Sequence, residues 1–161
     1  MKRLSVLLAG GALAVSAHAV NWSKVSESPN GTIFSLDLSS IESSDINIID
    51  EKSVENIMVS IRRTYPAQKP VEQKSDTKEA KVSKDAAIDH SDQQLLISCK
   101  DASYYKRAYV DYGADNKVIK SWQSEKPILT TKDFTITSPK TSGRKLIEQA
   151  CKSYEKTQQA N

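Results

Sequence analysis

LLISCKDASYYKRAYVDYG, residues 95–113, carries the pattern that decides the fold class. Leu95, Ile97 and Cys99 share one face at a two-residue period. Tyr105, Arg107, Tyr109 and Asp111 then alternate with Tyr104, Lys106, Ala108, Val110 and Tyr112. A period of two is the signature of a β-strand, since successive side chains leave opposite faces. Gly113-Ala114-Asp115-Asn116 reads as a turn, and Val118 to Ser124 returns as a strand that holds Trp122. Strands joined by short hairpin connections pair antiparallel.

The same alternation extends upstream. Trp22 to Val25 is strand-like, and after the turn Pro29-Asn30-Gly31 the run Thr32 to Leu38 puts Phe34, Leu36 and Leu38 on one face. Ile46, Ile48 and Asp50 continue more weakly. Ile57, Val59 and Ile61 alternate with Met58, Ser60 and Arg62 before Tyr65-Pro66 ends the run. A short run, Phe134 to Thr137, adds an edge strand.

The C-terminal segment has a different period. Leu146, Ile147, Ala150, Cys151 and Tyr154 fall at helical spacing, with Lys145, Glu148, Gln149, Lys152 and Glu155 opposite. Ser138 or Thr141 caps this helix, and Pro139 suits its first turn. Cys151 then faces the sheet, within reach of Cys99. The fold class expected is α+β: an antiparallel β-sheet meander with a C-terminal α-helix packed on it and disulfide-linked to it.

Residues 66–92 interrupt this pattern with PAQKPVEQKSDTKEAKVSKDAAIDHSD, in which lysines and acids interleave and no aromatic residue occurs. Such a composition buries too little apolar area to offset its ordering entropy. The expectation is a charged low-complexity insert, a solvated loop or charge-laced helix, inside a single domain spanning 20–157. Residues 158–161 form a tail.

At the start, Met1-Lys2-Arg3 precede an apolar run from Leu4 to Val15, and Ala17-His18-Ala19 places small residues at the positions a signal peptidase reads. Residues 1–19 therefore read as a signal peptide, because a spanning helix needs about 20 apolar residues and this run falls short. The expected location is the periplasm or cell surface. Val20 stands where a lipoprotein would carry its acylated cysteine, so no lipid anchor is expected. Removing Lys2 and Arg3 from 23 cations leaves 21 against 20 acids, a charge of +1. That balance argues against nucleic acid as a partner.

The two cysteines, Cys99 and Cys151, form an even count in an exported chain, which makes a disulfide the default. The alternatives are buried thiols or a metal pair, the latter poor without clustered histidines.

Catalytic residue types are sparse. His90 is the one histidine beyond the signal peptide and falls in the insert, off the rigid scaffold. No nucleotide-binding glycine loop occurs, and carboxylates such as Glu125 and Asp133 are scattered. The expectation is a non-enzyme with no cofactor and no metal. Asn21-Trp22-Ser23 and Asn30-Gly31-Thr32 match the N-glycosylation acceptor, which we read as chance.

The tyrosines supply the candidate site. Tyr105, Arg107 and Tyr109 share a face of a regular strand, and aromatic and cationic side chains together suit protein recognition. The ordinary alternative is that one face is core and the other supplies cross-strand pairs.

Four segments together resemble the surface-adhesin protein E-like family of Gram-negative bacteria. They are NWSKV with Trp22; NGTIFSLDLSSI with Gly31, Asp37, Ser40 and Ile41; LLISCKDASYYKRAYVDYG followed by Ser121-Trp122; and the proline-led PKTSGRKLIEQAC. The resemblance implies an antiparallel sheet with a C-terminal helix disulfide-bonded to it. For some members it implies binding to host matrix or serum proteins such as vitronectin, laminin and plasminogen. Some relatives are lipid-anchored, whereas this chain lacks the acceptor cysteine.

Two functions follow as expectations: an adhesin-like, non-catalytic binding protein, or a periplasmic accessory factor that supports an envelope machine such as a type IV pilus. Either has a protein partner, a host protein in the first case and an envelope component in the second, and a homodimer stays open.

Overall fold

Alternation along the chain becomes an open, curled antiparallel sheet. The computed structural model describes residues 20–46, 48–50, 56–67 and 87–161. Its strands are β1 (Trp22–Glu27), β2 (Ile33–Asp37), β3 (Glu42–Ser43), β4 (Asn56–Thr64), β5 (His90–Ser98), β6 (Ser103–Tyr112), β7 (Val118–Gln123) and β8 (Thr135–Ile136), followed by helix α1 (Ser142–Gln159). The sheet order is β1-β2-β4-β5-β6-β7, with β3 on β4 and β8 on β6.

β2 and β3 occupy one strand position broken by a 3-10 turn at Leu38–Ser40. The residues of the turn explain the break. The Asp37 carboxylate accepts hydrogen bonds from the Ser39 amide at 3.0 Å and the Ser39 hydroxyl at 2.6 Å. The Ser40 hydroxyl donates to the Asp37 carbonyl and accepts from the Ser60 amide at 2.8 Å. A β4 amide beside the break thus finds a side-chain acceptor, as a buried donor must. The turn before β2 depends on Gly31, whose φ of 86° is a conformation that only glycine adopts freely.

One face of the sheet carries the main core. Leu36, Ile57, Val59, Ile61, Leu95 and Ile97 pack against Leu146, Ile147, Ala150 and Tyr154 of α1. Each fully buried aliphatic side chain there contributes about 1.5–3 kcal/mol. The helix begins at an N-cap formed by Thr141, whose hydroxyl accepts from the Arg144 amide at 3.2 Å. Pro139 lies before the cap, not in the first helical turn as expected. The Arg144 guanidinium reaches back to Thr137, which fixes the angle at which the helix enters. The Cys99–Cys151 disulfide, with Cα atoms 5.8 Å apart, joins the end of β5 to the middle of α1.

The reverse face holds a second, smaller cluster built from segments outside the strands. Leu96 and Leu129 are wholly buried beside Ile48, and Ile46, Met58, Tyr105 and Phe134 pack against them. Ile48 bridges to Leu129 in parallel. The Asp50 carboxylate accepts from the Thr131 amide at 2.8 Å and its hydroxyl at 2.6 Å. Two loops are thereby clasped over this end of the face.

β5 starts earlier than composition suggested. His90, Ser91 and Asp92 pair with Thr64, Arg63 and Arg62, although all three fall in the segment read as insert. Specific pairs account for this. Arg62 forks onto Asp92 at 2.6 and 2.8 Å, and the His90 ring stacks on Tyr112 with centroids 4.8 Å apart. The remaining core of the insert, 68–86, and the expected signal peptide, 1–19, lie outside the described residues.

Candidate protein-binding face

A bulge in β6 decides which tyrosines can form a surface. Leu95 pairs with Lys106 and Gln94 with Ala108, so Arg107 is an extra residue without a β5 partner. An inserted residue reverses the alternation beyond it. Tyr104 and Lys106 therefore share the helix-side face with Tyr109, whereas Tyr105 pairs with Leu96 on the reverse face.

The three residues singled out from the sequence are consequently not one surface. Tyr105 is half-buried in the second cluster, its ring 6.3 Å from Phe134 and its hydroxyl hydrogen-bonded to Ser124. Arg107 serves the bulge: its carbonyl accepts from the Ser124 amide at 2.7 Å, and its guanidinium donates to the Lys126 carbonyl at 3.2 Å. Tyr109 alone remains on the open helix-side face.

There Tyr109 acquires partners that the alternation did not suggest. It pairs with Trp122 of β7, and the two rings stack at 5.9 Å and 25°. Lys106 and Lys120 approach the same Tyr109 ring at 5.5 and 5.9 Å, within the range of cation–π attraction. Neither lysine has a carboxylate within 4.0 Å among the described residues, and Asp111, across from Lys120 in the ladder, forms no ion pair with it. Trp122 is 44 % exposed, and every residue of β7 is exposed.

Among the described residues α1 packs chiefly over β1, β2 and β4, so that Tyr109 and the β7 side chains lie beyond its edge. Tyr104, Lys106, Tyr109, Trp122 and Asp133 line an open cleft of about 440 Å³, which Tyr105 also borders. The Asp133 carboxylate is engaged from within: the Lys126 ammonium, then the Thr130 amide, hold its pKa below the ordinary carboxylate value.

The register alone would not have revealed Trp122. Counting back from the Gly113–Asn116 turn sets Lys120 opposite Tyr109, whereas Tyr112 pairs with Val118 and the irregularity between Asp111 and Tyr112 leaves Ile119 as an extra residue of β7, which together bring Trp122 there instead.

His90 was placed off the scaffold by composition; it sits within β5, 7 % exposed. Its Nδ1 lies 2.8 Å from the Asp89 carboxylate, and its other contact is the Tyr112 ring. Among the described residues it has no hydrogen-bonded hydroxyl or thiol that it could activate.

The disulfide indicates an oxidising, non-cytoplasmic environment. Among the described residues no helix is long and apolar enough to cross a membrane. In comparisons with protein-family models, with curated proteins and with solved structures, nothing matches this chain.

Proposed function

We propose that this chain is an exported, non-catalytic binding protein that engages a protein partner through the β6–β7 face, as the surface-adhesin protein E-like domains it resembles engage host matrix and serum proteins. The observation that carries the reading is the Tyr109–Trp122 stack, with Trp122 exposed, flanked by Lys106 and Lys120, neither of which has a carboxylate partner among the described residues. Aromatic and cationic side chains in an exposed cluster are enriched in recognition surfaces, because they offer large rigid contact area and directional charge. In this reading the chain leaves the cytoplasm by its N-terminal signal.

The test combines location with binding. Intact cells are labelled with an impermeant reagent, and the purified oxidised protein is titrated against immobilised vitronectin, laminin and plasminogen. Surface labelling with saturable binding to one of them, weakened in Trp122→Ala, supports the proposal. A protein labelled only after the outer membrane is permeabilised, and indifferent to all three, overturns the host-binding reading in favour of an envelope accessory role.

A further inference from the structure

The two edges of the sheet are treated differently. At the β1 edge a bulge interrupts pairing between Lys24 and Ser26, and a Lys24–Glu27 ion pair at 2.6 Å lies along the strand. The Arg62 guanidinium covers the Trp22 ring at 4.6 Å, and α1 packs alongside. Bulges, charges and an overlying helix are the usual ways in which an edge strand is kept from pairing with another chain. β7 shares the bulge, at Ile119, and carries one lysine, Lys120, but among the described residues it has no ion pair along it and makes few contacts with α1. Among the described residues it is the last strand of the sheet and pairs only with β6; it carries no proline and exposes Val118, Ile119 and Trp122.

The face beside that edge has a definite chemistry. Lys120 and Trp122 stand two residues apart and so point the same way, beside Lys106 and Tyr109, and the cleft of about 440 Å³ opens next to Trp122, Tyr109 and Lys106. A strand added outside β7 would set alternate side chains about 5 Å from Lys120 and Trp122. Two lysines with no carboxylate partner among the described residues call for an anion, and the exposed indole for an apolar group.

We propose that β7 is an acceptor edge for an extended acidic segment of a partner protein, which pairs with Val118–Gln123 as the next strand, sets a carboxylate against Lys120 and Lys106, and lays an apolar side chain on Trp122. Main-chain hydrogen bonds supply affinity in such strand addition, and the alternate side chains supply specificity. The inference rests on the protein-binding reading above and names the chemistry of the partner.

The probe is a fluorescein-labelled peptide, Glu-Thr-Leu-Thr-Glu-Thr-Leu-Thr, titrated with the oxidised full chain and followed by anisotropy. Its companions replace Glu by Gln, replace Glu by Lys, or carry N-methyl groups on alternate backbone nitrogens. The acidic peptide is expected to bind, about tenfold more weakly in the Lys106→Gln/Lys120→Gln double variant or when Glu becomes Gln. Raising the salt from about 0.05 to about 0.5 M should weaken it further. N-methylation should abolish binding, since it removes the donors of the added strand.

Equal affinity for the neutral peptide, undiminished binding of the N-methylated peptide, or no binding of the acidic peptide would each overturn the proposal. So would sedimentation of the protein alone as a dimer that protects β7, because the occupant would then be a second copy. Capture of a matrix or serum protein that survives in the double-lysine variant would overturn this inference while leaving the proposed function standing. Failure of the wild-type protein to bind any such partner would instead count against the proposed function.

Discussion

Tyr105 and Tyr109, four residues apart on one strand, project from opposite faces of the sheet because Arg107 is inserted between them as a bulge. Tyr105 is thereby committed to packing against Phe134 and Leu96, and Tyr109 to the open stack with Trp122.

The two alanine variants should separate accordingly. Tyr105→Ala opens a space in the second cluster and unpairs the Ser124 hydroxyl, so a loss of about 2–4 kcal/mol is expected, at or below the range for a fully buried aromatic. Tyr109 is half-buried too, but its ring meets Trp122 across the strands and two lysine side chains, so Tyr109→Ala should cost only about 1 kcal/mol or less while reducing partner binding. Urea unfolding midpoints decide between them; equal losses would show that Tyr109 is as structural as Tyr105.

The disulfide closes a loop with a sequence separation of 52. The chain-entropy relation assigns such a closure about 4 kcal/mol. Cys99→Ser/Cys151→Ser should lose that amount relative to the oxidised protein, and wild type in reductant should fall to the same midpoint. A double variant as stable as the oxidised protein would place the stability elsewhere, in the packing of Leu146, Ile147 and Ala150.

The main core was legible because it repeats. Leu36, Ile57, Val59, Ile61, Leu95 and Ile97 recur at period two and Leu146, Ile147, Ala150 and Tyr154 at helical spacing, and these residues form one cluster. The Cys99–Cys151 bridge followed from the same two faces. The bulge was not legible, since an inserted Arg107 leaves no mark on a run of polar and aromatic residues, and it redistributed the candidate site. The second cluster was missed for a related reason: the alternation of Ile46, Ile48 and Asp50 suggested a weak strand, whereas Ile48 makes only an isolated bridge to Leu129, and the two meet across loops. His90 to Asp92 were lost to a compositional average, although Arg62 and Tyr112 give them specific partners.

The clasp over the second cluster should weaken in acid. Hydrogen bonds from the Thr131 hydroxyl, then its amide, hold the Asp50 carboxyl below its ordinary 3.8, and Lys126, then the Thr130 amide, do the same for Asp133. Both groups bind protons more weakly in the folded chain than in the unfolded one. Their contribution is therefore fully present above pH 3.8 and is lost as pH falls through the lower folded-state values. Below that pH, exchange at the Thr131 amide should accelerate before the main sheet opens. Asp50→Asn/Asp133→Asn should show a shallower acid loss than wild type, and identical acid profiles would rule the clasp out as the source.

The ladder between β4 and β5 closes before the charged insert begins, which makes the insert's length a separable quantity. Thr64 pairs with His90, and the Tyr65 amide donates to the Asp89 carbonyl at 2.9 Å. Joining Ala67 directly to Ala87 would leave Pro66, Ala67, Ala87 and Ile88 as a four-residue loop, a length that antiparallel hairpins accept. Shortening the loop lowers its closure entropy, so the deleted chain should be as stable as wild type or more so by roughly 1 kcal/mol. It should also keep the disulfide and the Tyr109–Trp122 stack, and with them the affinity for the acidic peptide. Thermal unfolding, mass spectrometry of non-reduced peptides and the anisotropy titration check these three expectations. A deletion that folds but no longer binds would move the recognition surface from the β6–β7 face to the insert. One that fails to fold would show that residues 68–86 support the sheet after all.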